Sequence, residues 1–210
     1  MTEPYDERAA RKAYIRRRQT TVFTITAVIL VIALVVSCLV SFKVITFESN
    51  TKTVAQPNYG QAVPCAAKNA DGSAMKWADN NTVPVRVRNG TEFAGLAKAV
   101  GEALQDRQFN VVTIDNYPSS KVNRTTIYFG VNAINPAYTL NAYFKDAVMV
   151  MDDRQDRLVD VVLGATFNDL NKERDVKKQG DKIKDFEGCK TVDEMNKLGL
   201  PKASEHTAVN

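Results

Sequence analysis

The stretch VPVRVRNGTEFAGLAKAVGEALQDRQFNVVTID, residues 83–115, carries the pattern from which the fold can be predicted. Its first six residues alternate valine with proline or arginine, which is typical of a half-buried strand. Apolar residues then recur at helical spacing from Phe93 to Leu104, and QFNVVTID has the composition of a second strand. The stretch therefore predicts a strand, a helix starting near Phe93, and a second strand.

The corner Asn89-Gly90-Thr91 joins the first strand to the helix and has two interpretations. As a turn, Asn89 and Gly90 supply positive φ, and Thr91 caps the helix by accepting a hydrogen bond from a nearby amide. As a site, the free amides of the helix start attract an anion such as phosphate or uronate, although Glu92 opposes one there. Both interpretations stay open at the level of sequence.

The rest of the regular pattern completes a small α/β domain. TTIYFGV (125–131) is a third strand, PAYTLNAYFKDA (136–147) a second helix, and AVMVM and RLVDVVLG two last strands. The order β-α-β-β-α-β-β predicts an α/β fold, a two-layer sandwich with helices on one face of a mixed or largely antiparallel sheet. The acidic run at 152–156 is predicted to be a solvated hairpin tip, and Tyr138 is a candidate for exposed sugar stacking.

An apolar run near the N-terminus predicts membrane anchoring. Thr21 to Phe42 holds 22 uncharged residues, enough to span a bilayer as one helix. Basic residues precede it, so the positive-inside rule places the N-terminus in the cytoplasm and everything after Phe42 outside. The sequence therefore predicts a single-pass plasma-membrane protein. The quartet VVSC leaves open a lipoprotein whose mature chain starts at a lipidated Cys38.

Charge argues against nucleic acid as a partner. Residues 1–20 carry a net charge of +3, and the remaining 190 carry only +1. The outer part thus lacks the basic stripe that nucleic-acid binding needs. The N-terminal arginines instead suit the inner leaflet of the membrane.

The cysteines fit an oxidising compartment. Cys65 and Cys189 both lie outside the predicted membrane and have no third cysteine there to compete, so a disulfide between them is the simplest expectation; two free thiols are the alternative. The only histidine, His206, lies in a polar tail, which argues against a zinc site. We expect no metal and no cofactor.

Catalytic motifs are missing from the sequence. It contains no Gly-x-Ser-x-Gly elbow and no phosphate loop with Gly-Lys-Ser or Gly-Lys-Thr, and its single histidine leaves nucleophilic mechanisms without a base. The sequence therefore predicts a protein that is not an enzyme. An interaction module and a glycan- or lipid-binding module are the two main expectations.

These patterns divide the chain into five parts. We expect a cytoplasmic basic tail, a transmembrane helix, an extracytoplasmic stalk in which Trp77 packs on the domain edge, the α/β domain, and a charged extension of solvated helices. Their predicted bounds are 1–20, 21–42, 43–82, 83–168 and 169–210.

Two motifs resemble the LytR C-terminal domain family. VRVRNGTEFAGLAKAVGEALQDRQFNVV is similar to that domain's opening, with its Asn-Gly-Thr and Gly-Leu-Ala, and VDVVLGATF (159–167) resembles its closing strand. The resemblance covers residues 83–168. In many relatives this domain follows a LytR-CpsA-Psr catalytic domain, which transfers lipid-linked glycopolymers onto peptidoglycan; we expect none within these 210 residues.

The layout of the chain is similar to that of standalone, membrane-anchored actinobacterial members of this family. That resemblance implies a non-enzymatic role in bacterial cell-envelope integrity. It also implies glycopolymer ligases or other cell-wall proteins as partners, or envelope glycan as a ligand.

Overall fold

The computed structural model describes residues 16, 18–20, 22–32, 34–35, 57–176 and 181–209, which fall into two units, Met1–Thr53 and Val54–Asn210. The described residues of the first unit are all helical. Within the described part of the chain, no helix is both long and apolar enough to cross a bilayer. Cys38 and much of the predicted span at 21–42 lie outside the described residues, so the anchor stays a prediction.

The second unit contains the predicted order of strands and helices. Its elements are β1 (Pro84–Asn89), α1 (Leu96–Asp106), β2 (Asn110–Asn116), β3 (Thr126–Phe129), α2 (Ile134–Asn141), β4 (Val148–Met151), β5 (Val159–Leu163) and α3 (Val192–Lys197). Short 3-10 helices occur at Pro57–Gly60, Asn80–Thr82, Val131–Ala133 and Glu173–Asp175. The predicted α/β class is confirmed.

The five strands form one mixed sheet in the order β2-β1-β5-β3-β4. Strand β1 is parallel to both β2 and β5, whereas β3 is antiparallel to β5 and parallel to β4. Strands β4 and β5 are therefore not neighbours, and the predicted hairpin between them is wrong. The chain passes from the edge strand β4 across β3 to reach β5.

Helices α1 and α2 pack on one face of this sheet. Val85 and Val87 of β1 lie in the same buried cluster as Leu104 of α1 and Leu140 of α2. Leu104 is fully buried, and removing such a side chain from water contributes about 1.5–3 kcal/mol to folding. The alternation of valine and arginine along β1 thus selects which face receives the helices.

A side chain outside the sheet covers the edge of β4. The Asn58 side-chain amide donates to the carbonyl of Met149 at 2.8 Å, and its oxygen accepts from the Met149 amide at 2.8 Å. Asn58 is buried and takes a left-handed conformation with φ 52° to make this contact. It satisfies backbone groups that an open sheet edge would leave unpaired.

Side chains from both flanks of the predicted domain enter its core. Val63 and Ala66 are buried, although the sequence assigns them to the stalk, and Met195 of the C-terminal extension is buried too. Backbone hydrogen bonds join the two flanks, from Cys65 to Lys190 at 2.8 Å and from Lys190 back to Val63 at 2.9 Å. The boundaries at 82 and 168 stay predictions, but the extension is not simply a pair of solvated helices.

Candidate functional site

The two outer cysteines form the predicted disulfide. Cys65 and Cys189 are bonded with their Cα atoms 4.9 Å apart and 124 residues apart in sequence. Asp185 lies beside the bond, and its carboxylate accepts a hydrogen bond from the Ala66 amide at 2.7 Å. Because the bond consumes both sulfur atoms, the grouping of these three side chains is not a metal site. The disulfide joins the segment before β1 to the segment after β5.

The structure places Asn89, Gly90 and Thr91 together at the end of β1, and all three are buried. The Asn89 side-chain oxygen accepts from the Thr91 amide at 3.0 Å and from the Thr91 hydroxyl at 2.8 Å. The Asn89 side-chain amide donates to the carbonyl of Phe93 at 2.8 Å. These bonds account for Asn89 and Thr91 without a ligand, and a ligand role for the corner stays a prediction.

Gly90 is required for a reason other than the predicted one. Neither Asn89 nor Gly90 is among the described residues with positive φ. Instead, a Cβ atom on Gly90 would lie 2.6 Å from the Leu163 carbonyl oxygen and 2.7 Å from a methyl carbon of Val122. The expectation of positive φ is therefore wrong: β5 and the loop before β3 approach the backbone too closely for any side chain.

Thr91 does not cap helix α1. The helix begins at Leu96, and its N-cap is Gly95, which has a left-handed φ of 81°. Thr91 accepts instead from the Phe93 amide at 3.1 Å, inside the loop. The predicted helix start near Phe93 is therefore wrong, and Phe93 is 68% exposed in that loop.

The opposite face of the sheet holds a buried cluster of charged residues that the sequence does not reveal. Arg86 donates to the Asp160 carboxylate at 2.7 Å and 3.2 Å, and Arg88 donates to the same carboxylate at 2.9 Å. Asp160, in β5, is completely buried. Nearby, Arg154 pairs with Asp152 at 2.7 Å. The predicted solvated tip at 152–156 is therefore wrong, because Asp152 and Arg154 neutralise each other inside the protein.

Residues 201–209, here named the C-terminal strap, cover this cluster. The Ser204 hydroxyl accepts from Arg88 at 2.7 Å, and the Glu205 carbonyl accepts from Arg86 at 3.0 Å. His206 lies 3.3 Å from the Asp156 carboxylate and contacts the carbonyl of Ser204, not its hydroxyl. The serine, histidine and aspartate thus lie together without forming a nucleophile and its base.

A groove of about 550 Å³ opens beside α1. We name it the Trp77 groove; its lining includes Trp77, Asn81, Asp106, Arg107, Gln108 and Glu173. Trp77 is half-buried and packs against the core, and its amide donates to the Asp181 carbonyl at 3.0 Å. Two further cavities, of about 710 and 230 Å³, share Trp77 as part of their lining.

Tyr138 does not lie in an exposed position. It is 2% exposed, its hydroxyl donates to the Pro64 carbonyl at 2.8 Å, and burial raises the pKa of its phenol. The expectation of sugar stacking at Tyr138 is therefore wrong. Trp77 and the buried Tyr143 are the aromatic residues that line the Trp77 groove. Asn80 and Asn81, which follow Trp77 closely in sequence, are the signal that the sequence offers for this groove.

Comparison with known proteins identifies one family. The model LytR_C, described as "LytR cell envelope-related transcriptional attenuator", matches residues 82–167. Among solved structures, the chain is similar to the soluble domain of a "conserved hypothetical secreted protein (Rv2700 ortholog) from Mycobacterium marinum". That similarity has 22% identity and a TM-score of 0.43, and covers 51% of this chain and 82% of the other. No curated protein matches.

Proposed function

Because residues 82–167 form a LytR C-terminal domain, we propose that this protein supports the integrity of the bacterial cell envelope without being an enzyme. It acts outside the plasma membrane, held there by one transmembrane helix, and it interacts with cell-wall assembly enzymes. The LytR-CpsA-Psr glycopolymer ligases are the partners that the family resemblance favours. The layout of the chain also resembles that of the envelope integrity protein Cei.

The disulfide is the observation that carries the extracytoplasmic part of this proposal. Disulfides such as Cys65–Cys189 persist in oxidising compartments and are rare in the cytosol. The uncharged run at 21–42 and the basic residues before it supply the predicted anchor and its orientation. Together these features support a domain outside the membrane with its N-terminus inside.

The surroundings of two titratable groups, Asp160 and His206, support a non-enzymatic role. Asp160 is enclosed by arginine side chains and completely buried, so it has no access to a substrate. His206 is occupied by Asp156 and the Ser204 carbonyl. Neither group has the combination of access and an adjacent nucleophile that acid–base or covalent catalysis needs.

Topology is tested on the intact chain. Epitope tags are placed at residues 2 and 210, and spheroplasts that carry the tagged chain are treated with protease. We expect the C-terminal tag to be digested and the N-terminal tag to survive. Digestion of the N-terminal tag alone would contradict the orientation, and a mature chain starting at a lipidated Cys38 would contradict the uncleaved anchor.

The envelope role is tested by deleting the gene and restoring it in altered forms. We expect the deletion strain to become sensitive to detergent and to wall-active antibiotics, and the full chain to restore resistance. A secreted form that lacks residues 1–42 should restore it poorly if anchoring near the wall enzymes matters. Normal resistance in the deletion strain would refute the envelope role. Failure of the full chain to cross-link to any cell-wall protein would refute the proposed partners.

A second candidate function is binding of cell-wall glycan or lipid, so that polymer is presented to the ligases. The Trp77 groove favours the glycan over the lipid, because its lining combines two aromatic rings, of Trp77 and Tyr143, with amide and carboxylate side chains. A lipid chain would need a mostly apolar cavity. Capture of wall polysaccharide by the full chain, compared with capture of lipid vesicles, tests this candidate.

A further inference from the structure

We propose that the Trp77 groove binds a neutral pyranose oligosaccharide. This inference rests on the second candidate function and assigns it a place on the protein and a class of ligand. The contacts of the groove, its charge and its backbone each bear on the assignment.

The shape of the groove suits an extended ligand. Its volume of about 550 Å³ lies within the range of ligand sites, and a second cavity of about 710 Å³ shares Trp77 and Ala78 in its lining. Asn132 and Asn135 line that second cavity, together with mostly apolar side chains. A chain of several sugar rings that extends from one cavity to the other would lie against Trp77, whose indole complements the C–H groups on the face of a pyranose.

The exposed side chains of the groove match the edge of a sugar. Each hydroxyl of a pyranose both donates and accepts hydrogen bonds, and the amide groups of Asn81 and Gln108 do the same. Both side chains are exposed, and neither makes a side-chain hydrogen bond within the described part of the chain. They are therefore available to a ligand at no cost in existing contacts.

Three polar atoms around Trp77 are buried and unpaired. Within the described residues, Trp77 Nε1, Arg107 Nε and Asn141 Oδ1 have no hydrogen-bond partner. Trp77 and Arg107 line the groove, and Asn141 lines the smaller cavity that shares Trp77. Buried groups without partners are rare in proteins, so the surroundings of Trp77 differ from a fully satisfied interior. Because these three atoms are shielded from solvent, a sugar hydroxyl in the groove reaches them only if the side chains around them move.

Charge selects a neutral ligand over an anionic one. Among the described residues of the lining, the carboxylates of Asp106 and Glu173 outnumber the one cation, Arg107. The net negative charge repels uronates, phosphates and nucleic acid. Carboxylates accept strong hydrogen bonds from hydroxyl groups, which favours a neutral polyol in the same place.

Gln108 is held in a conformation that glycine would adopt with less strain. It follows the last turn of α1 with φ 64°, in the left-handed region. Side chains other than asparagine and aspartate rarely occupy that region, which glycine enters freely. A strained glutamine that lines a groove is consistent with a side chain retained for contact.

Trp77 provides the signal for the test, because it is the only tryptophan of the chain. The full chain, in a zwitterionic detergent without sugar groups, is titrated with cellotetraose, chitotetraose and maltotetraose, and with trigalacturonic acid as the anionic probe. We expect a saturable change in Trp77 emission with at least one neutral tetrasaccharide and none with the anionic probe.

Two variants locate the site. Asn81→Ala should weaken binding about fivefold, the loss of roughly one hydrogen bond. Asn196→Ala, an exposed asparagine on α3 that does not line the groove, is the matched control and should bind like wild type. Gln108→Gly should weaken binding to a similar extent while its Tm is unchanged or higher, which separates loss of contact from loss of folding.

Each other result overturns a stated part of the inference. A saturable signal that neither Asn81→Ala nor Gln108→Gly weakens would move the sugar elsewhere and refute the groove, while leaving glycan binding intact. Preference for trigalacturonic acid would refute the neutral class. If no probe changes the emission while the full chain still captures wall polysaccharide, the groove is refuted and the second candidate function survives; if capture fails as well, both fall.

Discussion

Val87 and Arg88 are neighbours in β1, yet they face two interiors of different chemistry. Val87 lies in the apolar core with Leu104 and Leu140, beneath the helices. Arg88 points the other way, toward Asp160 and the C-terminal strap, and its guanidinium lies 4.7 Å from the ring centre of Tyr117. Both faces are buried. Apolar contacts fill one interior, and ion pairs fill the other.

The difference teaches how each face tolerates change. Apolar burial is non-directional, so its loss scales with the volume removed. A buried ion pair contributes little net stability once desolvation is counted, but removing one partner leaves the other charge buried and unpaired. The polar face should therefore be the more fragile one. Three predictions test that, and a fourth tests the corner at the end of β1, in descending order of expected effect.

Asp160→Asn should have the largest effect. It removes the charge that Arg86 and Arg88 share, and breaking such buried pairs costs about 3–5 kcal/mol. Urea unfolding of the full chain measures the change. Asp115→Asn, an exposed aspartate on the neighbouring strand β2, is the control and should change stability by less than about 0.5 kcal/mol. Equal stability of the two variants would contradict the importance of the ion pairs.

Leu104→Ala probes the apolar face and should cost about 3 kcal/mol, because it leaves a cavity under α1. The same unfolding experiment applies, with the exposed neighbour Gln105→Ala as the control. We expect Leu104→Ala to be less damaging than Asp160→Asn. The reverse order would show that the apolar face is the more fragile one.

Removing residues 203–210 should cost about 1–2 kcal/mol and expose the ion pairs to water. The truncation deletes the Ser204 and Glu205 acceptors of Arg88 and Arg86. Salt screens exposed ion pairs much more than buried ones, with a screening length of roughly 10 Å at 0.1 M. The stability of the truncated chain should therefore fall more steeply between about 0.05 and 0.5 M salt than that of the full chain. Deletion of residue 210 alone is the control. Identical salt dependence would mean that the strap does not shield the cluster.

Thr91→Ala should have the smallest effect, about 1 kcal/mol, since it removes one hydroxyl that bonds Asn89 and the Phe93 amide at the end of β1. Thermal unfolding measures it, with the exposed Thr207→Ala as the control. A Thr91→Ala protein that melts like wild type yet no longer captures envelope glycan would make the corner a ligand site.

Particular residues show how far the sequence predicts this structure. Strand and helix order follows from periodicity, and the pairing of Cys65 with Cys189 follows from having two outer cysteines. For Gly90 the sequence indicates the residue correctly but not the reason for it. A side chain at Gly90 is excluded by the close approach of Leu163, which lies more than 70 residues later in the chain. The local sequence around Gly90 cannot reveal that approach.

The sequence predicts the Trp77 groove only in part. One tryptophan followed by two asparagines supplies an aromatic ring and amide groups, but the sequence places them in a predicted stalk. Only the folded chain brings Arg107 and Gln108, from the end of α1, beside it. For Tyr138 the sequence predicts exposure, but the side chain is buried. Helix α2 is short and packed on nearly all sides, so its sequence does not show which face is exposed.

What the sequence by itself determined is the set of local elements, the apolar face of β1 and the single disulfide, because periodicity and residue type act over a few positions. What only the tertiary structure decided is the second interior. From sequence alone, an arginine on a strand is predicted to be exposed. In the folded chain Arg88 is buried, because Asp160 of β5 and Ser204 of the C-terminal strap cover it. Burial of charge depends on partners far away in the chain, and a local pattern carries no record of them.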